Sequence, residues 1–142
     1  MPTLTAKRRT VITVLLLLLA LWDFALWIVT FFYPELWMDS VHGQPMADPM
    51  GLLPRTGAMW LAFAIFQFVA FLRWKRAPFW LCFVAGMRLS ELLADWTYLG
   101  FAESLTTTGR VSLLVTPLMN IAISVLFLWA YFRAREEERA HA

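Results

Sequence analysis

The sequence has little of what a water-soluble domain or a disulfide-built scaffold needs. Only 15% of its 142 residues are charged, where a typical soluble domain has about a quarter. A single cysteine, Cys82, leaves no internal disulfide to form. Its place within an apolar run reads as a small hydrophobe rather than a reactive thiol. No apolar run contains a histidine pair for axial haem ligation, and no cysteine set suits an iron–sulfur cluster. Glycine is sparse and nowhere forms a phosphate-cradling loop. Ser90 and Ser104 have no histidine close in sequence, which disfavours a serine hydrolase. The net charge of +2 includes no long basic arm, so nucleic acid is not an expected partner.

Apolar residues are what the chain has: 61% are hydrophobic and 16% aromatic. A bilayer-crossing helix takes ~20 of them. Four runs meet that length, at about residues 11–33, 54–72, 78–99 and 111–132. The expected fold is all-α: a polytopic membrane protein folded as an antiparallel four-transmembrane-helix bundle, with residues 1–142 as a single membrane domain. The first run follows Lys7, Arg8 and Arg9 but is too long for the ~7–15-residue core of a signal peptide, and no small-x-small cleavage site follows it. Pro34, Gly43, Pro45, Pro49, Gly51 and Pro54 punctuate the longest loop and preclude a long helix there. Arg73 to Arg76 form a tight basic turn, Gly100 to Arg110 a short polar loop, and Arg133 to Ala142 a charged helical tail with the run Arg135 to Arg139 solvated.

Cations set the orientation. Lys7, Arg8 and Arg9, then Arg73, Lys75 and Arg76, then Arg133, Arg135 and Arg139 fall on one side; the other side has Arg55 and Arg110. Both termini are therefore expected in the cytoplasm. The loops carrying Glu35, Asp39, Asp48 and Glu103 face outward. Trp37, Trp74, Trp80 and Trp96 fall near the expected interfaces, where amphipathic rings settle.

Ionisable groups inside the runs are the informative residues. A charge at mid-bilayer costs on the order of 2.5–3.5 kcal/mol, so such groups face the protein interior and find partners. Asp23 lies in the first run; Arg88, Glu91 and Asp95 lie in the third. At ~100° per residue these last three share about 60° of arc, and Arg88 and Glu91 are spaced to pair within the helix. Thr116, Asn120 and Ser124 form a polar stripe in the fourth run, while Asp23, Trp27 and Thr30 share a side of the first. Arg55, at the start of the second run, is placed to reach inward. Asp23, Arg55, Arg88, Glu91, Asp95 and Asn120 are thus the expected lining of an outward-opening polar pocket. Asp23, Glu91 and Asp95 outnumber the cations Arg88 and Arg55, which makes the surplus acid a candidate proton-relay or cation site. The same charges read equally as interhelical glue. Small residues, Gly57, Ala58 and Ala62 with Ala85 and Gly86, would allow close helix contact or self-association.

Met38, His42, Met46 and Met50 recur every four residues and have copper-compatible donors. Gly43, Pro45 and Pro49 interrupt any helix that would align them, so no metal is expected there.

Tyr33-Pro34-Glu35-Leu36 closing the first run, Arg55-Thr56-Gly57 opening the second, and Gly86, Arg88, Leu89, Ser90 and Asp95 in the third together resemble the small four-helix bacterial membrane proteins of the DoxX-like group. The resemblance covers residues 15 to 100. It implies a four-helix bundle in a bacterial inner membrane and is compatible with an accessory role beside quinone-linked oxidoreductases, a quinone being the cofactor such a role would involve. It assigns no catalytic residue. The expected function is a non-enzymatic membrane subunit or small-ligand-binding protein, with no cofactor of its own. Its partners would be the bilayer and a homo-oligomer or larger membrane complex. The alternative is a quinone-linked redox subunit or a proton- or cation-translocating protein, in which Arg88 would hold an anionic or carbonyl group and Glu91 or Asp95 would move a proton.

Overall fold

A computed structural model describes residues 4–48 and 50–140. The fold is all-α, with five helices in the order α1 (Ala6–Phe32), α2 (Pro34–His42), α3 (Leu52–Arg73), α4 (Phe79–Phe101) and α5 (Thr107–Ala140), and no strand among the described residues.

Local chemistry explains the boundaries. Thr5 caps α1 by accepting the Arg8 N–H. Pro34 stands in the first turn of α2, where its missing N–H is no loss. Gly43 ends α2 in the left-handed region at φ 64°, which a side chain would resist. The Asp48 carboxylate accepts the N–H groups of Leu52 and Leu53 at 2.9 and 2.8 Å and so caps α3 from outside the helix. Helix α2 occupies part of the stretch that its prolines and glycines mark as loop; at nine residues it fits between Pro34 and Gly43.

The four long helices pack as two antiparallel hairpins, α1 with α3 and α4 with α5. Along α1–α3, Trp74 Nε1 donates to Thr13 Oγ1 at 3.1 Å near one end, and Gly57 meets Thr30 near the other. A Cβ at Gly57 would lie 2.6 Å from Thr30 Oγ1, so only glycine lets the two backbones approach this closely. Leu4, Arg9 and Glu137 tie the start of the described chain to the end of α5: Glu137 Oε1 accepts the Leu4 N–H, and Arg9 Nη2 bonds Glu137 Oε2 at 2.5 Å. At the opposite end α2 docks on the α4–α5 connection. The Thr106 N–H bonds the Val41 carbonyl at 2.9 Å, and His42 stands between the Ser104 carbonyl and the Tyr98 hydroxyl.

Buried positions recur three or four apart on every long helix, as one inward face requires: Ile12, Leu16, Leu19 and Asp23 on α1, for example, and Asn120, Ser124, Phe127 and Ala130 on α5. The outward faces are also apolar. Leu18, Leu21, Trp22, Phe68, Leu93, Leu118 and Val125 are all exposed, an outer surface far more apolar than water tolerates on a monomer. Helices α1, α3 and α5 are each long and apolar enough to cross a membrane. That makes three helices rather than the expected four. At 23 residues α4 has the length, but every membrane-crossing stretch within it includes Arg88, Glu91 and Asp95.

A buried polar cluster as candidate functional site

Arg88 is the centre of the candidate site, 2% exposed although it is the most basic type of side chain. It projects from the middle of α4, one turn past Val84 and Ala85, whose burial against α5 fixes the inward face of the helix. Its Nη1 bonds Glu91 Oε2 at 2.6 Å along α4, and its Nη2 bonds Asp23 Oδ2 on α1, also at 2.6 Å. Nη2 also donates to Gln67 Oε1 on α3 at 2.7 Å. Gln67 Nε2 in turn donates to Asp23 Oδ2 at 2.5 Å, closing a ring of Arg88, Asp23 and Gln67 across three helices. Glu91 extends the cluster to both sides: Trp60 Nε1 reaches Oε1 at 3.3 Å, and Asn120 Nδ2 on α5 reaches Oε2 at 3.2 Å. All four long helices therefore contribute to one connected set of hydrogen bonds.

Three buried polar atoms have no hydrogen-bond partner among the described residues: Asp23 Oδ1, Arg88 Nε and Asp95 Oδ2. A buried polar atom left unpaired costs roughly 1–3 kcal/mol, more when charged. The cluster thus retains hydrogen-bonding capacity that its own side chains do not meet. Two carboxylates share the single guanidinium, and Asp95, one turn beyond Glu91, brings a third to the same side of α4 without bonding Arg88.

Of the residues the sequence nominates, Asp23, Arg88, Glu91 and Asn120 are brought together by direct bonds. Asp95 is half-buried beside them. Arg55 stands apart: it is exposed and makes no ion pair among the described residues. Gly57, Ala64 and Gln67 define the inward face of α3, and two residues at ~100° each turn Arg55 about 200° away from Gly57, onto the opposite side. Thr116 is half-buried; Ser124 is buried and donates to the Ala85 carbonyl at 3.2 Å, and Thr30 bonds the Leu26 carbonyl of its own helix. The last two serve packing between helices rather than the cluster.

Met38 and His42 lie on α2, while Met46 and Met50 lie in the loop beyond it, with Met50 80% exposed. Because α2 stops at Gly43, the four do not share a helix face. Both ring nitrogens of His42 are engaged, Nδ1 by the Ser104 carbonyl at 2.8 Å and Nε2 by the Tyr98 hydroxyl at 2.6 Å. Among the described residues no group of three or more His, Cys, Asp and Glu side chains is arranged to hold a metal ion.

Gln67 and Trp60 are the members of the cluster that sequence reasoning misses. Gln67 leaves a signal: it is the one amide in the run Phe63 to Phe71, where every neighbour is apolar. Trp60 leaves none, because an indole in an apolar helix reads as packing. No protein-family model, curated protein or solved structure matches the chain.

Proposed function

We propose that the protein is a small integral membrane protein in which α4 crosses the bilayer together with α1, α3 and α5, with both chain ends on the cytoplasmic side. In this reading the Arg88 cluster is an intramembrane site for a small polar ligand, and the protein has a binding or accessory role rather than an enzymatic one. The observation that carries the proposal is the position of Arg88 between Asp23 and Glu91, with Arg88 Nε and Asp23 Oδ1 unpartnered beside it. A purely structural ion pair favours full satisfaction, since a half-satisfied polar interior is worse than an apolar one. A free donor, Arg88 Nε, and a free acceptor, Asp23 Oδ1, suit a ligand that both accepts and donates, such as a protonated carboxylic acid or a carboxamide. The charges of α4 are then no obstacle to crossing, because intramembrane charges face protein and pair there.

A second reading has its own observation. Asp23, Glu91 and Asp95 face one guanidinium, and Asp95 Oδ2 has no partner among the described residues. A surplus carboxylate at such a site can hold a proton, which needs no cavity.

Three measurements test these statements. Cysteines introduced singly into a Cys82→Ser background should label from outside the cell at Ala47→Cys and Glu103→Cys, and remain protected at Lys75→Cys and Glu136→Cys. Labelling of Lys75→Cys from outside would overturn the orientation. Solvent extraction of protein purified in mild detergent, followed by mass spectrometry, should release a small polar molecule from the wild type. The charge-neutral variant Asp23→Asn/Arg88→Leu/Glu91→Gln should lack it. Identical extracts from the two folded proteins would remove the ligand site. In liposomes containing a pH dye, proton movement abolished by Asp95→Asn would favour the second reading instead.

A further inference from the structure

At the end of the molecule where Leu4 and Glu137 meet, a furrow of about 530 Å³ runs between α1 and α5. Its walls are apolar, formed chiefly by Val11, Ile12, Leu126 and Trp129, and its rim is basic, with Lys7 and Arg8. Both cations are exposed, and neither pairs with a carboxylate among the described residues. Their neighbour Arg9 differs, being held by Glu137. Arg8 instead lies over the indole of Trp129, its guanidinium carbon 5.4 Å from the ring centroid. That contact keeps a positive charge at the mouth of an apolar groove without neutralising it. A second furrow of about 380 Å³ repeats the pattern, with Arg73 and Arg76 beside Leu72 and Trp80.

We propose that the α1–α5 furrow binds an anionic phospholipid, its phosphate held by Lys7 and Arg8 and an acyl chain lying against Val11 and Leu126. Charge complementarity carries the choice of occupant. An apolar trough ending in two cations, one of them over the Trp129 ring, matches a molecule that is anionic at one end and hydrocarbon at the other. A soluble anion would leave the trough unused, and a neutral lipid would leave the cations unpaired. Basic residues at the cytoplasmic face attract anionic headgroups in this way, and their long stems can lie along apolar surface with the charge at the headgroup level. The inference rests on the membrane reading but not on the Arg88 cluster.

The test uses the full-length protein in a neutral detergent, with native mass spectrometry of bound lipid. Dioleoyl-phosphatidylglycerol is the probe, and dioleoyl-phosphatidylcholine and glycerol phosphate are the comparisons. Phosphatidylglycerol should bind in preference to phosphatidylcholine. Each surface cation contributes roughly fivefold, so Arg8→Gln should weaken binding about fivefold and Lys7→Gln/Arg8→Gln about 25-fold. Arg110→Gln, a cation at the opposite end, should leave it unchanged. Leu126→Trp, which fills the trough, should weaken lipid binding without removing a charge. Unchanged melting temperatures in the neutral detergent show that the variants are folded. Equal binding of the two lipids, or an Arg8→Gln protein that binds as the wild type does, would overturn the proposal. So would displacement of the lipid by equimolar glycerol phosphate, which would make this a site for a free phosphate. Failure of the membrane reading registers separately, as protein released from membranes by alkaline carbonate.

Discussion

Toward the end that carries Leu4 and Glu137, the interior is apolar and interlocked: Ile12, Leu16, Leu81, Val84 and Phe127 are all within 1% of complete burial, and Trp74 fills the space beneath the α3–α4 turn. Toward α2 most of the buried side chains are polar, Asp23, Gln67, Arg88, Glu91, Asn120 and Thr30, with the apolar Leu92 and Pro117 beside them. The two regions belong to the same four helices, yet they hold those helices together by different means. In the apolar half contact is spread over many side chains, each replaceable by another of similar shape. In the polar half it passes through a few atoms of fixed geometry. The backbones approach more closely within the α1–α3 and α4–α5 hairpins than between them; the hairpins are joined by the apolar cluster that all four long helices share, by Arg9 with Glu137, and by the bonds of Arg88 to Asp23 and Gln67.

The largest expected effect comes from Arg88→Leu. It strands two buried carboxylates, and breaking a buried pair from one side costs roughly 3–5 kcal/mol. Thermal unfolding in detergent should show that loss, and Asp23→Asn/Arg88→Leu/Glu91→Gln should recover most of it. If the triple variant unfolds as early as the single one, charge is not what distinguishes the polar half. Next is Phe127→Ala in the apolar half. In water a Phe→Ala change costs about 3–5 kcal/mol. Where lipid is the surrounding solvent the transfer part of that cost shrinks, so the loss should fall below that of Arg88→Leu when both are measured in the same detergent. The reverse order would break the distinction between the halves. Gly57→Ala should cost about 1–3 kcal/mol through overpacking against Thr30, and Gly57→Ala/Thr30→Ala should regain part of it. Trp60→Phe should cost a comparable ~1.5–3 kcal/mol with little loss of packing, since it removes the 3.3 Å hydrogen bond that Glu91 Oε1 accepts from the indole. A larger loss would place Trp60 among the principal supports of the cluster.

How much of this was legible in the sequence varies with the range of the interaction. Long apolar runs locate the helices because a 3.6-residue repeat and its Pro and Gly punctuation are local properties. The Arg88–Glu91 bond is readable for the same reason, since three residues along one helix bring two side chains together. The Asp23 and Gln67 contacts of Arg88 are not. They depend on how each helix is rotated about its axis and how deep it sits, quantities fixed by packing across the interface rather than by spacing within one chain segment. Arg55 shows the same limit from the other side. Its position near a helix start allows an inward reach, but its angle relative to Gly57 and Gln67 turns it out. Helix α2 was hidden by residues that usually signal loop, although Pro34 at its start and Gly43 at its end are the boundary marks a short helix carries.

On the membrane reading, the placement of three charged residues on α4 has a consequence for how the chain enters the bilayer. Taken alone, α4 would carry Arg88, Glu91 and Asp95 into hydrocarbon, each at on the order of 2.5–3.5 kcal/mol. Helices α1 and α3 precede it in the chain and bring Asp23 and Gln67, two of the groups that Arg88 bonds. The first hairpin can therefore act as a receptor for the third long helix during biogenesis, lowering the cost of its insertion through bonds it could not make alone. Synthesis order and bond pattern would then be matched: a chain reordered to present α4 before α1 would face that cost with its principal partners still unmade.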